Sequence, residues 1–432
     1  MGLLRAGTIT LASRALVFFL SLVTNVVLAR ALGPDGRGLY ALAVILPSVL
    51  VLAANLGVGN ALTYYLARRT YDTSAVIGQT TSLALVLGVA SFAVLVALVT
   101  LFGSQLLPGV PHNLVLLAGA SLPLALFFYY CLSFTQGMEA FWAYNSLYVI
   151  NAAAVLVFLG ALVFFPGSVT VAVVAWSVSW VPTAVLGLWW LAHWGRLNVR
   201  FDPKMSRSLL RFGIVGYLSF LTNFFNFRLG TFLVNIFRNA AQVGLYTIAV
   251  TLAETIYQVS VSAAIVLAPR VAAGEAVEGD KATGRVSRMV LVISLAAAVA
   301  LGAVAPLLIR VLFGSRFAGS AIAVWLLLPG IVAFSVSRVL SSYLLGRNKQ
   351  HIDFGASLAG LVVTIALDLL LIPPYGFGGA AAASSVAYTV TLLVNLVWVV
   401  RHSTLGAGDL LLPSWEDFRI ILVRTRALVR AG

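Results

Sequence analysis

Five charged residues stand where charge is costly. Arg14, Arg228, Glu254, Arg338 and Asp368 each lie within a long apolar run. If those runs cross a membrane, a mid-bilayer charge costs at least ~2.5–3.5 kcal/mol and needs a partner, a wet cavity or a ligand. All three cations are arginine, whose planar fork of donors fits a phosphate bidentately as a lysine ammonium cannot. Glu254 and Asp368, the two span-embedded acids, could hold a proton or Na⁺.

Amides and tyrosines accompany these charges. Asn25, Asn55, Asn60 and Tyr64 lie in the first pair of runs, and Asn223, Asn226, Tyr257 and Gln258 in a later pair. Such side chains suit hydroxyl-rich sugars, although each alone also suits helix packing. Arg228 is eight residues before the end of its run at 236, and Glu254 is ten residues into the next, which starts at 244. At ~1.5 Å per residue the two reach similar depth and could pair. The pair is either a helix-to-helix staple or a cation site lining a cavity. Arg14 and Arg338 could instead snorkel to headgroups. Asp368, four residues from the end of its run at 372, could simply be solvated.

Other chemistries are poorly supported. Gly376-Phe377-Gly378-Gly379 lacks the Lys and Ser/Thr of a phosphate-binding loop. The histidines at 112, 193, 351 and 402 fall at run ends or in loops, and Cys131 is the single cysteine, so no metal site or internal disulfide is expected. No cofactor is expected, and the choice between H⁺ and Na⁺ at the two acids is left open. A membrane glycosyltransferase or polymerase would need catalytic acids and a large outer loop, which the chain does not offer.

The elements that position these residues are helices in lipid. The chain is 61% hydrophobic and 9% charged, with mean hydropathy +1.03, too apolar for a soluble protein of 432 residues. Runs near twenty residues long select helices over barrel strands. The expected fold is an all-α polytopic membrane protein of about twelve transmembrane helices. In the first half these span 8–31, 40–66, 75–101, 114–136, 145–165 and 169–193. In the second they span 209–236, 244–268, 287–309, 320–345, 352–372 and 378–400.

The halves repeat. Gly38-Leu39-Tyr40-Ala41-Leu42-Ala43-Val44 returns as Gly244-Leu245-Tyr246-Thr247-Ile248-Ala249-Val250, at an offset of 206. Pro123 and Pro329, Gly137 and Gly346, and Pro166 and Pro373 recur at nearly the same offset. Residues 1–205 and 206–400 are therefore read as pseudo-symmetric six-helix bundles around a central cavity, a plan common in transporters. Pro34 and the glycines at 33, 36 and 38 predict a tight polar turn joining the first two spans.

The net charge of +14 suits an anionic leaflet better than nucleic acid. Most basic residues, among them Arg68, Arg69, Arg196, Lys204 and Lys281, fall in one set of loops. Arg30, Arg37, Arg238, Arg310 and Arg316 fall in the other. Both termini are thus expected in the cytoplasm, and no cleavable signal peptide is evident. In the tail, 401–432, Ser414 reads as a helix cap. Trp415, Phe418, Ile421 and Leu422 then form one apolar side of an amphipathic helix on the cytoplasmic surface.

Leu32-Gly33-Pro34-Asp35-Gly36-Arg37-Gly38-Leu39-Tyr40-Ala41, followed by Asn55-Leu56-Gly57, resembles the amino-terminal signature of polysaccharide-type flippases. Gly346-Arg347-Asn348-Lys349 and the stretch from Leu371 to Ala381 are similar to their late signature. These flippases belong to the multidrug/oligosaccharidyl-lipid/polysaccharide exporter superfamily. The resemblance implies two bundles in a V around a cavity, with arginines meeting a pyrophosphate: Arg14 and Arg228 first, then Arg338. It implies movement of an undecaprenyl-pyrophosphate-linked oligosaccharide, as in O-antigen assembly, from the cytoplasmic to the outer leaflet. The partners it implies are that lipid-linked oligosaccharide, membrane lipids and polysaccharide assembly proteins around a monomer in the inner membrane. The turn signatures match multidrug exporters less well, and lipid II flippases usually carry two further helices.

Overall fold

Glycine at positive φ marks several of the helix breaks, among them Gly33, Gly57 and Gly376. The computed structural model describes residues 3–273 and 276–412, leaving aside the side chains of 3–8, 11, 214–216, 218–220, 223, 265–266, 268–270, 272–273 and 276. All regular structure among the described residues is helical. The amphipathic helix expected around Trp415 lies outside them.

The chain forms two compact units. The first comprises residues up to Leu221 together with Asn239–Gly244; the second comprises Thr222–Arg238 and the residues from Leu245 onward.

In the first unit, α1 (Leu3–Asn55) is 53 residues long and breaks only at Gly33, whose φ of 68° lies in the left-handed region. Pro34 follows, where a missing N–H costs nothing at a helix start. The expected polar turn is thus a single residue. Gly36 and Gly38 are helical and buried, and Arg37 is only 7% exposed instead of lying in an outer loop. Leu56 and Gly57, both at positive φ, separate α1 from α2 (Val58–Ala67). Glycine at 57 is required twice over, by its φ of 72° and by the Gly213 backbone against it. Asp72 caps α3 (Thr73–Leu106) by accepting from the amides of Ser74 and Ala75 at 3.0 and 3.3 Å. Then come α4 (His112–Gly119), α5 (Leu122–Gly137), α6 (Phe141–Leu159), α7 (Val169–Val178) and α8 (Trp180–Trp194). Leu28, Tyr40, Leu114, Leu159 and Val173 pack into one core of this unit.

Two helices pass from one unit's residues to the other's: α9 (Pro203–Phe237) and α10 (Ala240–Ala273). Asp202 and Asn239 cap them through their side-chain oxygens. The second unit continues with α11 (Ala276–Leu312), α12 (Ser320–Gly346), α13 (Gln350–Tyr375), α14 (Phe377–His402) and the short α15 (Ala407–Leu411). Its core rests on α12, where Val336, Val339, Leu340, Tyr343 and Leu344 recur at helical spacing against Leu396 and Val399 of α14.

The sequence repeat has a structural counterpart. α5 ends at Gly137 and leaves through Glu139 at φ 54°; α12 ends at Gly346 and leaves through Asn348 at φ 56°.

Nine helical stretches among the described residues are long and apolar enough to cross a membrane. Their outward faces carry apolar stripes, such as Leu358, Val362, Ile365 and Leu369 of α13. Exposed apolar surface of this extent belongs against lipid. At ~1.5 Å per residue α11, 37 residues long, exceeds a ~30 Å hydrocarbon core, so its charged first turns project beyond it.

Candidate substrate and ion site

Most of the expected site residues belong to the second unit. Arg228 of α9 and Glu254 of α10 face each other, Nη1 to Oε1, at 3.8 Å. Their side chains are 39% and 26% exposed. The separation exceeds the ~2.7–2.9 Å of a charge-assisted hydrogen bond. The two are therefore held by charge and remain partly exposed.

An aromatic cluster forms beside them. Phe227 packs on Tyr257, Phe334 and Tyr388 with ring centroids 5.7, 5.2 and 5.5 Å away. The charges of Arg228 and Glu254 reach the Tyr388 and Tyr246 hydroxyls. Tyr246 shares a 3.3 Å hydrogen bond with Ser384 and lies within electrostatic reach of Asp368. Asp368 is not solvated as its position near a run end suggested. It is fully buried, and neither carboxylate oxygen has a hydrogen-bond partner among the described residues. Chain depth does not fix the rotation of a helix, and α13 turns this residue inward.

The remaining positions divide between packing and exposure. Asn226 is buried and binds helix to helix, donating to Ser357 O at 2.9 Å and accepting from Thr364 Oγ1 at 3.3 Å. The side chain of Asn223 lies outside the described residues. Tyr257 joins the aromatic cluster, and Gln258 is exposed. Arg338 is exposed on α12, with its charge reaching the Tyr257 hydroxyl.

In the first unit Arg14 is exposed on α1 and lies within electrostatic reach of Tyr148. Asn25 accepts a 2.8 Å hydrogen bond from Arg37 Nη2 and donates to Ser21 O. It thereby anchors the buried arginine just past the Gly33 break. Asn55 Oδ1 accepts from Gly59 N at 3.2 Å and closes the gap between α1 and α2. Asn60 is exposed. Tyr64 stacks on Phe212 at 4.5 Å, with the Arg68 guanidinium over its ring at 4.8 Å.

Sequence reasoning overlooked Asp280. Its carboxylate is buried beyond the apolar part of α11 and accepts four hydrogen bonds. These come from Tyr343 Oη at 2.8 Å, Arg347 Nη2 at 3.1 Å, and the amide and hydroxyl of Thr404 at 2.9 and 2.8 Å. Ser287 and Arg288 donate to the carbonyls of Leu410 and Asp409. The segment after α14 is thus latched to α11. The available signal was the spacing of Tyr343 and Arg347, which puts both on one face of α12.

The fold is that of the multidrug/oligosaccharidyl-lipid/polysaccharide (MOP) exporter superfamily. It is similar to the lipid II flippase MurJ in an inward closed conformation, with a TM-score of 0.77 at 16% identity, over 97% of this chain and 92% of that one. It is similar to an inward-facing multidrug resistance MATE family transporter, with a TM-score of 0.75 at 17% identity, over 88% and 93%. A MOP superfamily transporter from Pyrococcus furiosus gives 0.64 at 15% identity, over 91% and 94%. At these identities the likeness establishes the fold. The chain belongs to the polysaccharide biosynthesis protein family, whose family model matches residues 3–275, more than half of its length. A search of curated proteins finds no match.

Proposed function

We propose that this protein is a flippase that moves an undecaprenyl-pyrophosphate-linked oligosaccharide from the cytoplasmic to the outer leaflet by alternating access. The observation that carries this reading is the Arg228–Glu254 pair. It lies in apolar helices of a chain from a polysaccharide biosynthesis family, yet it is loose and partly exposed. Charges so placed are stable where they face water or an anionic ligand and costly where they face lipid tails.

Arg14, Arg228 and Arg338 are the proposed donors to the pyrophosphate. Asn25, Asn55, Asn60, Tyr64, Asn223, Asn226, Tyr257 and Gln258 line the sugar path in this reading. Those already hydrogen-bonded within the fold, Asn25, Asn55 and Asn226, act there by fixing helix geometry. Glu254 and Asp368 carry the coupling ion, H⁺ or Na⁺. The protein works as a monomer of twelve spans in the inner membrane with both termini in the cytoplasm, a side assigned from its basic loops. It takes its cargo from the glycosyltransferases and passes it to the polymerising machinery.

The test is translocation by purified protein in sealed vesicles, read by accessibility of the sugar to an impermeant reagent. Undecaprenyl-pyrophosphate oligosaccharide, lipid II and a cationic dye are supplied separately. Movement of the oligosaccharide lipid is expected. Movement of lipid II alone, or of the dye alone, would replace this reading with that of a lipid II flippase or a multidrug exporter.

A further inference from the structure

A groove of about 530 Å³ opens where the start of α13 meets the end of α14. Its body is apolar, with Val394 and Val397 on one side and Gly355 on the other. No atom lies within 4 Å of where a Cβ on Gly355 would stand, so the groove is open there. Its end is basic, formed by His351, Arg401 and His402. Trp398 stacks on His402 with ring centroids 4.4 Å apart and planes within 9°. The His402 Nδ1–H donates to Trp398 O at 2.9 Å, which fixes the ring.

The helix ends do not account for this cluster. Arg401 and His402 suit the C-terminal dipole of α14, but Lys349 and His351 stand at the N-terminus of α13, where the dipole repels a cation and attracts an anion. Asp353 lies in that same first turn, but its carboxylate accepts from Ser341 and Asn395 inside the unit. The ion pairs Arg228–Glu254 and Arg347–Asp280 engage none of the groove's basic groups.

The surroundings identify the anion. Beyond the groove the exposed stripe Leu358, Val362, Ile365 and Leu369 runs along α13. A cationic end with a tryptophan beside it, then an apolar channel, then a lipid-facing stripe follow the order of headgroup and acyl chain. We infer that this groove binds one anionic phospholipid of the bilayer. Its phosphate sits among His351, Arg401 and His402, and one acyl chain crosses Gly355 between Val394 and Val397. The site is additional to the proposed substrate path and does not depend on it.

Native mass spectrometry of the detergent-solubilised full chain, titrated with phosphatidylglycerol and phosphatidylcholine, tests this. The wild-type protein should retain one phosphatidylglycerol about tenfold more strongly than phosphatidylcholine. Arg401→Ala should remove most of that preference. Gly355→Leu should lower retention of both lipids by filling the groove without touching its charges. Arg316→Ala, which removes a cation elsewhere on the unit, should change neither. Equal retention of the two lipids by wild type, or an Arg401→Ala protein with the full preference, overturns the assignment. Displacement of the phosphatidylglycerol by equimolar undecaprenyl pyrophosphate also overturns it, because the groove would then serve the lipid-linked cargo. Circular dichroism and size-exclusion profiles confirm that each variant is folded, and the Arg401→Ala arm decides if Gly355→Leu is not.

Discussion

Gly38 and Gly244, the first residues of the repeated phrase, pack against each other's backbone. A Cβ on Gly38 would overlap the Ala240 carbonyl and stand 3.0 Å from the Gly244 nitrogen; one on Gly244 would overlap the Pro34 carbonyl and stand 3.2 Å from the Gly38 nitrogen. The contact is reciprocal, and each glycine is kept by closeness and not by φ. Gly38→Ala or Gly244→Ala should therefore cost about 1–3 kcal/mol through overpacking. Gly160→Ala, with nothing within 4 Å of the added methyl, should be neutral or slightly stabilising. Thermal unfolding in detergent measures all three. A Gly38→Ala protein as stable as wild type would mean that the backbones part easily.

The same pair shows how far the sequence could be read. Hydropathy runs located the helical stretches, and Gly33-Pro34 marked the first break, because both signals are local. The runs 40–66, 114–136 and 169–193, however, passed over the breaks at Leu56-Gly57, Ala120-Ser121 and Ser179. The sequence could not say that Gly38 meets Ala240, since close approach and turn geometry both select glycine. It also left Arg37 in an outer loop, although Asn25, a full helical segment away, receives its guanidinium. Asp368 was legible as a charge within an apolar run and not as a buried one, because rotation about the helix axis depends on neighbours. Asp280 went unnoticed for a related reason: its partners at 343, 347 and 404 are more than sixty residues away.

Those partners make a second prediction. Removing a buried carboxylate that accepts from Tyr343, Arg347 and Thr404 takes the acceptor from two hydroxyls and an amide and the ion-pair partner from Arg347. Asp280→Ala should cost about 3–5 kcal/mol, as breaking one side of a buried pair does, and should free residues 403–412 for proteolysis. Asp280→Asn retains the shape and some of the bonds and should cost less. Protection from protease equal to wild type in Asp280→Ala would show that the segment after α14 is held by its apolar contacts, such as Leu405 and Leu410.

Arg228 and Glu254 call for a double-mutant cycle. At 3.8 Å and partly exposed, the pair should contribute only about 0.2–1 kcal/mol to stability. In transport the coupling should be larger, with Glu254→Gln doing less harm in an Arg228→Gln background than alone. Strictly additive effects on transport would show that the two act separately.

Asp368 should make stability depend on a cation. A carboxylate fully buried, with no hydrogen bond among the described residues, requires a proton or a metal ion to offset its desolvation. An ion that binds only the folded state adds ~2.7 kcal/mol at a hundredfold excess over its dissociation constant. The unfolding midpoint of wild type should accordingly rise with Na⁺ or with added protons. In Asp368→Asn, whose amide needs neither, the share of that dependence owed to Asp368 should vanish. Identical Na⁺ and pH responses in the two proteins would remove Asp368 as the coupling residue.

The substrate's charge gives the last prediction. If Arg14 and Arg228 bind the pyrophosphate, the chemistry they recognise is common to every lipid-linked cargo. A charge-assisted hydrogen bond is worth ~1.5–3 kcal/mol, so Arg14→Ala or Arg228→Ala should weaken binding by roughly one to two decades at ~1.4 kcal/mol per tenfold. Arg14→Lys retains the charge and loses the bidentate fork, and should fall between wild type and alanine. Arg14 is exposed on its helix, so the alanine protein should fold normally and the loss can be read as binding. The measurement compares two undecaprenyl-pyrophosphate oligosaccharides with unlike sugars. Equal losses for both are expected. A loss for one alone would mean that these arginines read sugar, and unchanged affinity for both would remove them from the site.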